Sequence, residues 1–432
     1  MVIGGAVGVV GGLGYAYSAG MFGGDALPAG MPKTKDAAFD AWIQKMAKSS
    51  PSDPKDTADF KFITFTEKPP FTPKHKSLMA KTLTDEVWAK YKDLKTSKGY
   101  TFSNSIQAGV LRPHLGVGLT MGDEECFEMF KDMVYPIVQG WHGFDPATQF
   151  HKSDLNAKKL KFDKSLVAKF EKYVVSTRIR AARNISGFSL PSGSSQEDRL
   201  GVEKVLTQAF AMFDGELKGT YYPLGALTKE QEDTLQSNGF LFQKPGPAQL
   251  LGAAGAARHW PEGRGIFHND NKTALAWANE EDHCRIISMQ NGGNVFEVFA
   301  RFCNISDTIK KAAMSNKADL MYSDRLGFLG TCPSNLGTGL RASVMIKIPL
   351  LNKAGPHKLE EICSQFDLQP RGSSGEHSEA VGGKWDISNK QRLGFTEVEL
   401  VQKMIDGVAK IIAIEEKLEA GKTLDQAVKE AK

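Results

Sequence analysis

Tyr173-Val174-Val175-Ser176-Thr177-Arg178-Ile179-Arg180 is the stretch on which the fold turns. It reads as a short strand, and Ala274 to Ala278, Arg285 to Met289 and Ser343 to Ile348 share its character. These runs are interleaved with helical stretches, which predicts an α+β domain with a largely antiparallel sheet after about Lys161. Side chains on a strand alternate between faces, so Arg178 and Arg180 point the same way. Paired guanidinium forks match phosphate oxygens in a bidentate manner that lysine cannot reproduce. Taken singly, each arginine is an ordinary solvated or salt-bridged residue; only their convergence would carry information.

Outward from this stretch the chain divides into four segments. Residues 161–424 form the sheet-bearing domain. It closes with a long helix announced by a Thr396/Glu399 capping box and an apolar stripe of Val398, Val401, Ile405, Val408, Ile411 and Ile412. Residues 69–160 read as a small all-helical domain, since Leu83, Val87, Trp88 and Tyr91, then Phe127, Phe130, Met133 and Val134, recur at helical spacing. Residues 25–68 read as a polar linker region with one short amphipathic piece around Ala37 to Ala47. The compact body is expected to begin after Ser49-Ser50-Pro51-Ser52-Asp53-Pro54. Residues 1–24 are uncharged and nine of them are Gly. A bilayer-associated or targeting segment and a low-complexity tail are both open readings, because the length suits a membrane while glycine disfavours helix and no basic residues flank it.

Composition narrows the class. At 432 residues the chain has room for two or three domains of about 150 residues. With 41% hydrophobic and 24% charged residues it is an average globular mix, neither disordered nor collagenous. Lys plus Arg (54) against Asp plus Glu (50) leaves +4, too balanced for a nucleic-acid coat, so anion recognition must be local. Five cysteines without a CxxC pair support neither a disulfide scaffold nor a zinc ribbon, and a reducing, cytoplasmic setting is the default expectation.

The P-loop, the dinucleotide fingerprint and the protein-kinase motifs are absent, and the nine His residues show no metal-ligand spacing. Cys332-Pro333-Ser334-Asn335-Leu336-Gly337-Thr338-Gly339-Leu340-Arg341 resembles the signature of the phosphagen (guanidino) kinases. Gly265 to Asp270, Asn279 to His283, Arg285 to Gln290 and Trp385 to Asn389 support the same resemblance in the expected order. It implies reversible transfer of the ATP γ-phosphoryl group to a guanidine nitrogen, with ATP/ADP and Mg²⁺ carried by the nucleotide and no metal held by protein ligands. Phosphoryl transfer of this kind rests on alignment and charge compensation.

The resemblance also assigns roles. Arg178, Arg180, Arg285, Arg341 and Arg371 would clamp phosphates, and His268 would lie beside the adenine. The nucleotide set extends to Ser176, Thr177, Ile179, Ala342, Ser343, Val344, Met345, Gly372, Ser373, Ser374, Gly375 and Glu376. Glu281 and Cys332 would face the guanidinium, with Arg285 and Glu376 completing the catalytic set and Ser334 lowering the thiol pKa by a hydrogen bond.

Within the family the sequence is most like the arginine kinases. Glu376 in Gly375-Glu376-His377 would collide with the methyl group of creatine, and Gly116-Val117-Gly118-Leu119-Thr120 lies in a short loop whose N–H groups could cradle an amino-acid carboxylate. L-arginine and MgATP are thus the expected partners. Taurocyamine, lombricine or creatine is the rival acceptor, and a catalytically silent, membrane-tethered scaffold of the same fold is a second alternative. Three positions depart from the arginine kinases: Thr120 and Trp141 on the acceptor side and Met345 in the nucleotide pocket.

Overall fold

The computed structural model describes residues 36–372 and 381–431. Residues 1–24 and Ser373, Ser374, Gly375 and Glu376 lie outside the described residues. No helix among the described residues is long and apolar enough to cross a membrane.

The helical domain contains α1 (Ala37–Ser49), α2 (Leu78–Thr82), α3 (Asp85–Tyr91), α4 (Phe102–Leu111), α5 (Cys126–Met129) and α6 (Lys131–His142). Thr84 and Thr101 cap α3 and α4 through hydroxyls that accept from the Val87 and Asn104 amides. Tyr91, Phe102 and Phe130 pack edge-on or tilted in its core, with centroids 5.2 to 5.6 Å apart.

The segment read as a linker belongs, from Asp36 onward, to this domain. Phe39, Ile43, Met46 and Ala47 of α1 are buried in its core together with Phe62, Ile63 and Phe65. The Ile63 and Phe65 amides donate to Gln107 Oε1 (2.8 Å) and Ser103 Oγ (3.1 Å) of α4. Proline and serine between these apolar groups disguise a stretch that is held by side-chain hydrogen bonds in place of a strand ladder.

The second domain is built on ten strands: β1 (Val174–Arg183), β2 (Gly219–Pro223), β3 (Gly265–Asn269), β4 (Ala274–Ala278), β5 (Cys284–Asn291), β6 (Tyr322–Ser323), β7 (Gly327–Phe328), β8 (Arg341–Lys347), β9 (Leu368–Gly372) and β10 (Lys384–Asn389). Eight form one sheet in the order β2-β3-β4-β5-β1-β8-β10-β9, with every neighbouring pair antiparallel; β6 and β7 make a separate ribbon. This is the α+β architecture expected from the sequence.

Registry gives the sheet two unlike faces. Ile179, Ala181, Ala276, Ile286, Ala342, Val344 and Ile387 face one way and are sealed by helices including Gln196–Ala211, Val295–Ser315 and Glu397–Glu419. Thr396 and Glu399 form the expected capping box of the last. Arg183 also falls on this face. Its guanidinium is fully buried, pairs with Glu397 at 3.1 Å and lies 3.6 Å from the Phe328 ring centroid.

Removing one partner of such a pair leaves a charge without water or counterion. Glu397→Ala is therefore expected to destabilise the protein by about 3–5 kcal/mol, read as a lowered midpoint in urea unfolding. A change below about 1 kcal/mol would mean that this pair does not hold the last helix to the sheet.

Candidate functional site

The opposite face of the sheet is divided along its width. From β2 to β5 it presents Tyr222, Ile266, Leu275, Trp277, Ile287 and Met289, which pack with Leu235, Phe240 and Phe242 from the segment after β2. From β5 to β9 the same face presents Arg285, Arg178, Arg180, Arg341, Asp386 and Arg371. Registry sets Arg180 opposite Arg341, and Arg371 opposite Asp386. An apolar half thus abuts a cationic half.

The cationic groups converge. Burial and then the charges of Arg285, Arg341, Arg178 and Arg392 push the Arg180 guanidinium down to about 9. Burial and Arg371, Arg341 and Arg285 push Arg392 down to about 10 against the pull of Glu281. The side chains of Arg178 and Arg180 make no hydrogen bond or ion pair among the described residues, and Arg178 Nε and Arg341 Nε are buried without a partner. Arg341 is held bidentately by Asp386, at 2.8 and 3.3 Å. Guanidiniums crowded and desolvated, with the forks of Arg178 and Arg180 unpaired, fit a polyanion.

Arg285, like Arg341, has carboxylate partners. Although buried, it is pushed up by Glu280 (3.0 Å), Glu281 (2.8 Å) and Asp282 (3.9 Å). Glu281 is fixed on all sides: Oε2 takes Arg285 Nη2, Oε1 accepts from Asn335 Nδ2 at 2.8 Å, and its carbonyl accepts from the Thr331 hydroxyl at 2.6 Å. Burial and the Glu281 charge push the neighbouring Asp282 carboxyl up to about 6.

Cys332 precedes a 3₁₀ turn at Pro333–Asn335, and its Sγ lies 3.1 Å from Ser334 Oγ. The expected hydrogen bond is present, yet burial and Glu281 outweigh it and push the thiol up to about 12. The sequence anticipates the Ser334 contact but not the desolvation, which depends on neighbours distant in the chain.

A cavity of about 680 Å³ lies over this assembly, lined by Arg180, Arg371 and Arg392, by Glu281, Ser334 and Asn335, and by Trp141 and His142 at the end of α6. Guanidinium and carboxylate groups thus share one enclosure between the two domains. Among the described residues no group of three or more His, Cys, Asp or Glu side chains could hold a metal ion.

Several sequence-predicted residues fall elsewhere. Thr177, Ile179, Ala342 and Val344 point into the helix-covered core and Gly372 lies opposite Trp385 on that side, so of these two motifs only Ser176, Arg178, Arg180, Arg341, Ser343 and Met345 share the site's face. The two-residue period forbids contiguous use of a strand. His268 lies on the correct face, but three strands from Arg180, roughly 14 Å at about 4.8 Å per strand. It is stacked on Tyr222 and does not line the cavity.

In the short loop, Gly116 is exposed, while Val117, Gly118, Leu119 and Thr120 are buried. The Gly116 and Val117 carbonyls accept from the Leu78 and Met79 amides, and the Thr120 hydroxyl meets Tyr100 at 3.4 Å. None of the five lines the cavity. Gly116 nevertheless borders it through Trp141, whose ring would lie 3.0 Å from a Cβ at that position. Gly118 has φ +73° and a Cβ there would meet Ser77 at 2.8 Å, so it has no room for a side chain.

Sequence reasoning missed Arg392, Asp386, Asn335 and His142. Alternation along Trp385 to Asn389 marks Asp386 as a partner for Arg341, whereas the other three come from turns and a helix end without periodic signal.

Comparison with known proteins places this geometry. The profile described as ATP:guanido phosphotransferase, C-terminal catalytic domain, matches residues 201–418, and that of the N-terminal domain matches residues 73–139. Creatine kinase, testis isozyme, of Oncorhynchus mykiss is 46% identical over 81% of this chain and 91% of its own; creatine kinase M-type of Gallus gallus is 46% identical over 82% and 93%. A crystal structure of lombricine kinase superimposes with TM-score 0.76 at 44% identity, covering 82% of this chain and 96% of that one. The substrate-free duplicated taurocyamine kinase of Schistosoma mansoni gives 0.73 at 38%, covering 81% and 48%. With a cationic sheet face and a fixed carboxylate on one cavity, and with both domains matched, the chain belongs to the ATP:guanido phosphotransferases, the phosphagen kinases.

Proposed function

We propose that this protein reversibly transfers the γ-phosphoryl group of MgATP to L-arginine, storing phosphoarginine as a reserve for cellular ATP. The observation that carries the reading is the Glu281 carboxylate, clamped by Arg285 and Asn335, on the same cavity as the unpaired Arg180. Triphosphate oxygens would take the free forks of Arg178 and Arg180 together with Arg341 and Arg371. Charge building on the transferred group is then met by dipoles and cations already in place, without reorganisation. The magnesium ion belongs to the nucleotide substrate and would be carried on its phosphate oxygens.

A guanidinium is a poor nucleophile, so the acceptor side must orient a nitrogen and draw off a proton. Glu281 suits both tasks, because each of its oxygens is held by a single donor among the described side chains and keeps acceptor capacity. Cys332 lies beside it, and a bound cation would relieve the thiol of the effect that the Glu281 charge now has on it. Arginine is supported within the acceptor class by Glu376, a second carboxylate in the sequence, and by the short loop that leaves Gly116 exposed. The similar proteins named above for creatine, lombricine and taurocyamine supply the rival acceptors.

Glu281→Gln should lower turnover about 10²- to 10⁴-fold while nucleotide affinity, measured by calorimetry, stays within a few-fold. A near-wild-type rate overturns the assignment of Glu281. In a coupled ADP assay, arginine should give the highest kcat/KM of the four acceptors, and Glu376→Val should lower it for arginine more than for creatine. A preference for creatine in the unmodified protein overturns arginine specificity, and no turnover with any acceptor favours the scaffold reading. We also propose a cytoplasmic location. A fluorescent reporter fused after Met1 to Asp25 should be diffuse, and a mitochondrial or membrane-bound signal overturns it.

A further inference from the structure

The turn that carries Cys332 is held from both domains. From the catalytic side, Thr331 N–H donates to Asp282 Oδ1 at 2.9 Å, and Arg392 Nη1 donates to the Ser334 carbonyl at 2.9 Å and to Asn335 Oδ1 at 2.6 Å. From the helical side the described residues give two hydrogen bonds, one on each flank of the cysteine. Met121 N–H donates to the Thr331 carbonyl at 2.8 Å, and His142 Nε2 lies 2.8 Å from the Pro333 carbonyl.

The second contact fixes the chemistry of the imidazole. A carbonyl only accepts, so Nε2 carries the proton. Burial, opposed by that hydrogen bond and reinforced by the charge of Arg392, pushes His142 down to about 4, which keeps it neutral in ordinary buffers. His142 ends α6 next to Trp141, and Trp141 borders exposed Gly116 of the short loop. The last turn of α6 thus touches the acceptor-side loop at one residue and the thiol-bearing turn at the next.

We infer that His142 is a positioning residue for the acceptor side: its Nε2–H anchors the Pro333 carbonyl, keeps Ser334 Oγ against Cys332 Sγ, and ties the thiol to the helical domain. It touches none of the reacting groups. The inference rests on the acceptor site assigned to Glu281 and Cys332 and is independent of which guanidino compound occupies it.

Three variants test it. His142→Leu removes the donor, His142→Gln restores an amide N–H at similar reach, and His142→Asn presents the same group one methylene short. With L-arginine, the Leu and Asn variants should raise the acceptor KM about tenfold, the weight of one neutral hydrogen bond, with the KM for ATP changed less than about twofold; Gln should return both to near wild type. A second readout uses no guanidino compound. Iodoacetamide modification of Cys332 at a fixed pH, followed by peptide mass spectrometry, should be severalfold slower in Leu and Asn but not in Gln, because Ser334 is no longer held at the sulfur.

If the Leu protein does not fold, the Gln and Asn pair decides. Equal behaviour of Gln and Asn, or a wild-type thiol modification rate in the variant lacking the donor, overturns the positioning role. So does an imidazolium signal for His142 at pH 7 in ¹⁵N NMR. Failure of arginine as acceptor leaves the thiol modification rate to judge His142 on its own.

Discussion

Like charges repel, and here arginines from four strands and a loop are drawn onto one face of a single sheet, largely out of water. In a medium of intermediate dielectric, unit charges a few ångströms apart repel by several kcal/mol. The pressure shows in Arg180 and Arg392, both held below the ordinary guanidinium range by burial and by their neighbours. The fold sustains it because the other face of the same strands is a continuous apolar core under three long helices, whose burial stabilises the sheet whatever its open face carries. Asp386 beside Arg341 and the carboxylates beside Arg285 relieve part of that repulsion, and a polyanion on the unpaired forks of Arg178 and Arg180 would relieve the rest.

The antiparallel period of two does most of the sorting. It sends Arg178 and Arg180 to the site while Thr177 and Ile179 serve the core, and it does the same on β8 with Arg341 and Ser343 against Ala342 and Val344. This much was legible from the strand runs and from the Thr396 capping box, because alternation and capping are local properties. The helical domain was legible for the same reason.

What stayed hidden depends on contacts between distant parts of the chain. Phe62, Ile63 and Phe65 look like linker because no periodic pattern surrounds them; they lie in the core, where Gln107 and Ser103, some forty residues on, accept from the Ile63 and Phe65 amides and Asp56 accepts from the Phe62 amide. Thr120 resembles a substrate contact in its motif but turns its hydroxyl to Tyr100. Arg392 and His142 lie beyond a strand end and at a helix end, where only the assembled cavity reveals them. Glu281 and Cys332 were readable through resemblance, but the burial that raises the thiol was not, because desolvation depends on the whole enclosure.

In the proposed reaction the phosphate and acceptor ends would meet in a single ion pair. Arg285 gives Nη2 to Glu281 Oε2 while standing on the strand beside Arg178 and Arg180. A phosphate oxygen that reaches Arg285 competes with that carboxylate for the same N–H, and a cationic acceptor that reaches Glu281 competes with Arg285 for the same oxygen. With those assignments, each ligand would loosen the group that the other requires, and the free energy of breaking the pair would be spent once for two binding events. Linkage would then make nucleotide and acceptor strengthen each other's binding, with a coupling no larger than the worth of that half-buried pair. Glu280, still 3.0 Å from Arg285, keeps the guanidinium compensated while the exchange takes place.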